Sequence, residues 1–450
     1  MLPPSLQDWL PDGHLARFIA DVAEQLDLSA LYAAYDRKDG RGLAAYHPLM
    51  LSRLLLYGYA VGVRSWRAIE KATYDDLAFR YLSADQHPDH DTIANFRQQH
   101  LRALAELFVQ ALRLCRQAGL VKLGTLAIDG TKVKAQASER RSMRLQHIRQ
   151  EEQRLQALTE QLLQQAAQTD ADEDAQWGKG QPAETLPLEL ADAQKRLQRL
   201  RQAKQELEEE AKQQLAEAEA ACPARQRGRP PRGTPTTSPG SRSERETSKQ
   251  ALNRARRTVA GQTRHYNFSD PDSRMMRDGG TGHVVQAYNA QIAVDGQAQI
   301  IVAADVTQQV LDKQQLAPML EGAQRLLGGL PENVVADNGY WSYSQLTHPI
   351  MDGTNLLVPP EGHGGKTASR LRADNLMAQT MRGKLSTAAG RMLYTSRQHI
   401  VEPVFAHIKE QRRFRRFSFR GLAKVTAEWS FVCLTHNLLK LYRSGLALTA

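Results

Sequence analysis

The spacing of apolar residues changes character twice along the chain, and each change predicts a different kind of structure. As far as about residue 120, apolar positions recur at three- and four-residue intervals, the period of helices buried along one face. Pro48-Leu-Met-Leu-Ser-Arg-Leu-Leu-Leu-Tyr-Gly58 predicts an apolar helix, with proline near its start where a missing amide hydrogen costs little. Ser65 through Thr73 predicts a second helix with Ser65 as N-cap, and a third starts at Asp91 or Thr92 and runs to about Leu114. Between about Ser138 and Thr258 the apolar residues thin to one in seven: Ile148, Leu155 and Leu162, then Leu190 and Leu197, and Leu200 and Leu207. Two narrow stripes separated by an acidic link from Asp170 to Pro187 predict an antiparallel coiled-coil hairpin, because neither helix could bury its stripe alone.

From His265 the period shortens again. Asp270 to Met276 reads as a turn, Gly282–Asp295 and Gln299–Thr307 as two strands joined through Asp295-Gly296, and Gln314–Leu327 as a helix ended by Gly328 and Gly329. Short strands at Asn333–Asp337 and Asn355–Pro359 follow, then a glycine-rich basic loop from Gly362 to Lys366. One strand lies before the thinned segment: Leu123 to Ala135 runs through an apolar stretch into Asp129, a glycine kink at Gly130, then Thr131-Lys132-Val133-Lys134.

Two of these strands deliver an aspartate followed closely by glycine, Asp129 and Asp337, and a third acid, Glu402, stands near the start of the basic helix Ser396–Arg413. Singly, an aspartate after a strand is a common turn-former. Together, two strand-borne aspartates and a helix-borne glutamate are the donor set of a two-ion phosphoryl-transfer site, and three converging carboxylates would need cations to offset their repulsion. Mg²⁺, with Mn²⁺ as the substitute, suits hard oxygen ligands and needs no histidine or cysteine. Lys409, two turns beyond Glu402, is expected on the same side of the helix to grip a phosphate.

Strand with acid, hairpin, helix, strand with acid, short strand, helix with acid is the element order of an RNase H-like fold. The expected fold class is therefore α/β: a mixed sheet flanked by helices, interrupted by the coiled-coil insertion and preceded by an all-α domain. The expected division is 1–120 for the helical domain, 121–137 for the first strand, 138–262 for the insertion with its linker, and 263–450 for the rest of the sheet domain.

Charge adds a partner class. The formal net charge is +10, which favours polyanions. Its placement says more. Arg412, Arg413, Arg415, Arg416, Arg420 and Lys424 alternate with Phe414, Phe417 and Phe419, a basic surface with aromatics for packing or base stacking. Arg67 and Arg97, with Arg64 and Arg102, lie near helix starts, compatible with helix-turn-helix DNA contact or with ordinary surface arginines of a bundle. The run Arg225–Pro235 and the Ser/Thr/Arg stretch to Thr247 read as a disordered linker. Within it, Arg227-Gly228-Arg229-Pro230 has the make-up of a minor-groove hook. Trp341 is either a base-stacking residue or a core aromatic. Cys115, Cys222 and Cys433 suit neither a disulfide framework nor a zinc site, and no secretory leader or apolar span is legible, so a cytoplasmic protein without membrane partners is expected.

The chain resembles bacterial insertion-sequence transposases of the DDE type, close to the group called IS-eleven-eighty-two. Pro48 through Arg97 is similar to that family's N-terminal helical domain; Ala127-Ile-Asp-Gly-Thr-Lys132, Ala336-Asp-Asn-Gly-Tyr340 and Glu402-Pro-Val-Phe-Ala-His-Ile-Lys409 are similar to its three catalytic segments. The resemblance implies that Asp129, Asp337 and Glu402 hold the metal ions. It also implies a Tyr-Arg-Glu-Lys signature, here Tyr394, Arg397, Glu402 and Lys409, with four residues between Arg397 and Glu402 where the family has three. The implied reaction is nicking at element ends and transfer of the freed 3′ ends to target DNA, by a homodimer that synapses two ends of double-stranded DNA. A structure-specific RNase H-like endonuclease, such as a junction resolvase, and a non-catalytic DNA-binding relative are the alternatives; inverted repeats flanking the coding region would separate the first from a transposase.

Overall fold

The computed structural model describes residues 5–35, 45–177, 188–220, 253, 265–279, 282–360 and 376–446. It divides into two compact units, Met1–Gln136 with Asp272–Ala450, and Ala137–Pro271. The strands in chain order are β1 (Thr125–Lys134), β2 (Ser142–Arg144), β3 (His265–Asn267), β4 (Arg274–Arg277), β5 (Val284–Asp295), β6 (Ile300–Thr307), β7 (Asn333–Ala336) and β8 (Asn355–Leu357). The helices used below are α1 (Leu15–Gln25), α2 (Pro48–Val61), α3 (Trp66–Asp75), α4 (Leu77–Leu82), α5 (His90–Gln117), α6 (Leu145–Trp177), α7 (Leu188–Ala220), α8 (Leu316–Leu327), α9 (Ala388–Ala406) and α10 (Leu422–Arg443).

The first unit is mixed α/β. β1 lies at the middle of its sheet, antiparallel to β5 on one side and parallel to β7 on the other, with β8 parallel beyond β7. β5 is long enough to carry both β4 and β6 on its far edge. Its residues from Val285 to Asp295 are all buried, which explains why it reads as a nearly unbroken apolar run. The buried polar residues Asn289 and Gln291 break that run.

α10 is the spine between the sheet and the N-terminal helices. It packs on β6 on one side and on α5 and α2 on the other, burying Trp429, Phe431, Val432 and Leu438. Trp429 anchors it by donating from Nε1 to the carbonyl of Gln291, 3.0 Å away. The N-terminal helices form where the sequence predicts them, with two adjustments. α2 runs through Gly58 and ends at Gly62, whose φ of +87° favours glycine and where an added Cβ would lie a tight 3.2 Å from the Arg412 carbonyl oxygen. α5 is capped by Asp89 rather than Asp91 or Thr92, its carboxylate accepting from the Thr92 amide at 2.5 Å. Among the described residues no helix is long and apolar enough to cross a membrane.

Two buried imidazoles give this unit an acid-sensitive core. His407 and His436 stack edge to face with centroids 5.5 Å apart. Burial pushes His407 down from 6.5 to about 4, helped by Arg412, Arg443 and Lys440; burial holds His436 well below the usual value too, against a hydrogen bond to the Gln299 carbonyl that favours its charged form. The fold thus favours both neutral forms. That stability is complete above about pH 6.5 and is lost as pH falls, through about 4 for His407. The thermal unfolding midpoint should therefore drop across this window, and His407→Gln should flatten part of the slope. A profile that is level from pH 6.5 to 4 would exclude this account.

The second unit contains α6 and α7, joined at one end by the β2–β3 pairing of Ser142 with Asn267 and Arg144 with His265. Leu145, Ile148, Leu155, Leu197, Leu200, Ala203, Leu207 and Tyr266 form its core. The ion pairs Arg149–Glu208, Glu152–Lys204 and Glu151–Arg196 show the two helices running in opposite directions. Arg227 and Arg229 lie outside the described residues.

Candidate acid cluster and its basic surroundings

β1 and β7 lie side by side in parallel, with Ile128 opposite Ala336. The next residue on each is an aspartate, so register alone brings Asp129 and Asp337 to the same end of neighbouring strands. Asp129 accepts from the Gly130 amide at 2.7 Å and from Arg397 Nη1 at 2.9 Å. Asp337 accepts from the Gly339 amide at 2.8 Å and caps the turn Asn338–Tyr340. Burial raises Asp129 to about 6; Arg397 pulls it down and Asp337 pushes it up. Burial also raises Asp337, against the hydrogen bond from Gly339 and the charge of Arg397. Two carboxylates held partly out of water at one end of the sheet, with Asp337 discouraging ionisation of Asp129 and Asp312 that of both, make a site that gains by taking up a cation.

Four cationic or polar groups close on this pair. Arg397 and Tyr394, three residues apart on α9, face it together, and Tyr394 stands beside Arg397. Lys409 donates to Thr131 Oγ1 and to the Lys132 carbonyl, 3.1 Å away, which fixes it on β1 just past Asp129. Lys132 pairs with Asp312 at 3.3 Å, and Asp312 adds its charge to the field at both aspartates. Neither Lys132 nor Asp312 was singled out from the sequence. Asp312 sits in a polar loop without periodicity, and the only available signal was that it, too, follows a strand by a few residues.

Glu402 is not part of this cluster. It is exposed on α9, and among the described residues no group of three His, Cys, Asp or Glu is arranged to hold a metal ion. The extra residue between Arg397 and Glu402 is the cause: five positions on, a side chain points about 140° round the helix. Beyond Pro403, His407–Gln411 winds as a π turn, and Lys409 within it reaches Thr131 and Lys132 of β1.

The basic residues expected to face DNA divide into two sets. Arg67, Arg413 and Arg416 are exposed, and Trp341 is half-buried. Arg97 and Arg412 instead lie in the interior, 4% and 2% exposed. Arg97 donates to the Tyr59 hydroxyl at 2.6 Å and lies over the rings of Phe419 and Trp66, 4.5 and 5.0 Å from their centroids. Phe414 and Phe417 pack on Trp429 and are equally buried, so these two aromatics serve packing rather than stacking on bases.

Two family models match the chain. Residues 4–99 match a transposase domain of the type DUF772, and residues 363–442 match a transposase DDE domain. Both matches are to transposase domains, and together they support an insertion-sequence transposase of the DDE type. The second match takes in Tyr394, Arg397, Glu402 and Lys409 of the transposase; neither match includes Asp129, Asp312 or Asp337. No curated protein matches the transposase, and no solved structure does.

Proposed function

We propose that this transposase binds the ends of its element, cleaves DNA strands there and joins the 3′ ends to target DNA at the site built on Asp129 and Asp337. The observation that carries the reading is the register of β1 and β7, which sets two half-buried carboxylates at the same end of neighbouring strands with Arg397 and Lys409 at hand. The order of elements and the two adjacent parallel strands bearing acids favour an RNase H-like assignment, with α6 and α7 as a coiled-coil hairpin inserted after β1. Closeness to the IS-eleven-eighty-two group rests on the sequence segments quoted above.

The donor chemistry fits Mg²⁺ or Mn²⁺: hard oxygens, two carboxylates, and room for water and phosphate oxygens to complete the shell. Such ions would activate the attacking oxygen and offset charge on the leaving one. Asp129 and Asp337 would hold them; Glu402 joins the ligand set on the resemblance, and its carboxylate would have to turn inward from its exposed place on α9. Without a cation, Arg397 supplies the counter-charge to Asp129. On DNA its guanidinium is free to take a phosphate, beside Tyr394 and Lys409. Arg67, Arg413, Arg416 and Trp341 extend the contact surface, and Arg227 and Arg229 enter a minor groove. Two copies synapse two ends, and the work on chromosomal DNA is done in the cytoplasm.

The test is a cleavage assay on linear DNA carrying both element ends. Chelation with excess EDTA should stop cleavage and joining while the gel shift of end DNA persists, and added Mg²⁺ or Mn²⁺ should restore both. Cleavage that survives chelation would reject the ion-dependent reading. A resolvase reading would be favoured by cutting of four-way junctions in preference to element ends.

A further inference from the structure

Asp312 stands between the two catalytic turns. Its Oδ1 accepts from Asn289 Nδ2 at 2.6 Å, Gln291 Nε2 at 2.7 Å and Lys132 Nζ at 3.3 Å. Both amides are completely buried. They are alternate residues of β5, and their register partners on β1 are Lys132 and Gly130, so all four positions share one face of the sheet. Gln291 is itself held by the Tyr340 hydroxyl, and Asn289 also donates to the Gln309 carbonyl at 3.1 Å.

The space for this carboxylate is made by one glycine and bordered by another. A Cβ at Gly130 would lie 2.8 Å from Asp312 Oδ1 and would collide with Gln291 Nε2; a Cβ at Gly339 would only touch Asp312 Oδ2, at 3.7 Å. These are the glycines directly after Asp129 and two places after Asp337. An aspartate that merely formed its own loop would bond to nearby backbone amides. This one is gripped by the floor of the sheet and gives its charge to a lysine. Lys132 is only 17% exposed and also lies in the field of Asp129 and Asp337.

We propose that Lys132 is a phosphate-contacting residue for strand cleavage and that Asp312, anchored by Asn289 and Gln291, is the positioning residue that aims it. Asp312 locks the lysine stem, so its ammonium stays beside the acid pair rather than sampling solvent. An incoming phosphate meets a fixed cation. This rests on the reading that Asp129 and Asp337 form the reaction site.

The experiment compares Asp312→Asn, Asp312→Glu, Lys132→Met, the Lys132→Met/Asp312→Asn double variant and Asp129→Asn in the full-length chain. It measures single-turnover cleavage of pre-bound end DNA, end affinity and thermal midpoint. Asp312→Asn and Lys132→Met should each slow cleavage about ten- to hundredfold with end affinity held within about twofold. The double variant should be no slower than Lys132→Met alone, since the carboxylate acts through the lysine. Asp312→Glu should regain part of the rate. Multiplying losses in the double variant, full activity of Asp312→Asn, or loss of cleavage, affinity and thermal midpoint together would each overturn the proposal. Asp129→Asn separates the two levels: an inactive Asp129→Asn beside a fully active Asp312→Asn sinks this inference alone, whereas an active Asp129→Asn sinks the site reading beneath it.

Discussion

Replacing Asp129 with asparagine should lower strand cleavage about a hundred- to a thousandfold and leave end binding nearly unchanged. The magnitude follows from what the carboxylate does in this reading: it holds ions that offset charge on the attacking and leaving oxygens, and losing a single preorganised group of this kind costs about 10²–10³. Asparagine keeps the shape and can still accept from the Gly130 amide, so the strand end should survive. It cannot carry the charge. Arg397 loses its ion-pair partner at 2.9 Å but is left free to meet DNA phosphate, which is why affinity should hold. A drop in end binding as large as the drop in cleavage would mean that Asp129 serves the fold or the DNA surface and not the reaction.

The second large effect is on stability. Arg412→Met should destabilise the first unit by about 1.5–3 kcal/mol, the range for losing hydrogen bonds to a charged group, since burial already pulls the guanidinium down to about 9 and no carboxylate is left unpaired. Arg412 donates to the carbonyls of Tyr59 at 2.9 Å and Val432 at 3.1 Å and to Thr435 Oγ1, so one guanidinium ties α2 to α10. Methionine fills much of the volume but removes all three of these hydrogen bonds in a dry interior, and the Val432 carbonyl keeps only its other donors, the Thr435 hydroxyl among them. Chemical denaturation followed by tryptophan fluorescence would measure it, because Trp429 lies on the same helix. A loss below about 1 kcal/mol would show that water or a neighbouring donor replaces the guanidinium easily.

This arginine also marks where sequence reading stops. A run of arginines interleaved with phenylalanines reads as a surface, and Arg413 and Arg416 are indeed exposed. Nothing in the spacing separates them from Arg412, whose partners are backbone carbonyls more than 350 positions away at Tyr59 and 20 away at Val432. Arg97 is hidden for the same reason, by rings that only the folded chain assembles. The strands, by contrast, were legible because alternation and buried apolar runs are local properties. Asp129 and Asp337 stood out because an acid ending an apolar strand breaks that local pattern. Asp312 did not, since its meaning comes from two amides on β5 and from the side chain that Gly130 lacks, relations that no window of sequence contains. For Glu402 the spacing carried the warning: one extra residue after Arg397 is more than a quarter turn of helix.

The pairing of β2 with β3 has a further consequence. Because Ser142–Arg144 and His265–Asn267 run antiparallel side by side, the chain leaves the β1 end and comes back at neighbouring points. Whatever hangs beyond that clasp can gain or lose turns without rethreading any strand of the main sheet, and each doubling of such an excursion adds only about 0.6 kcal/mol of closure entropy. Related mobile elements are thus free to differ most in the reach of this arm while keeping one cutting centre.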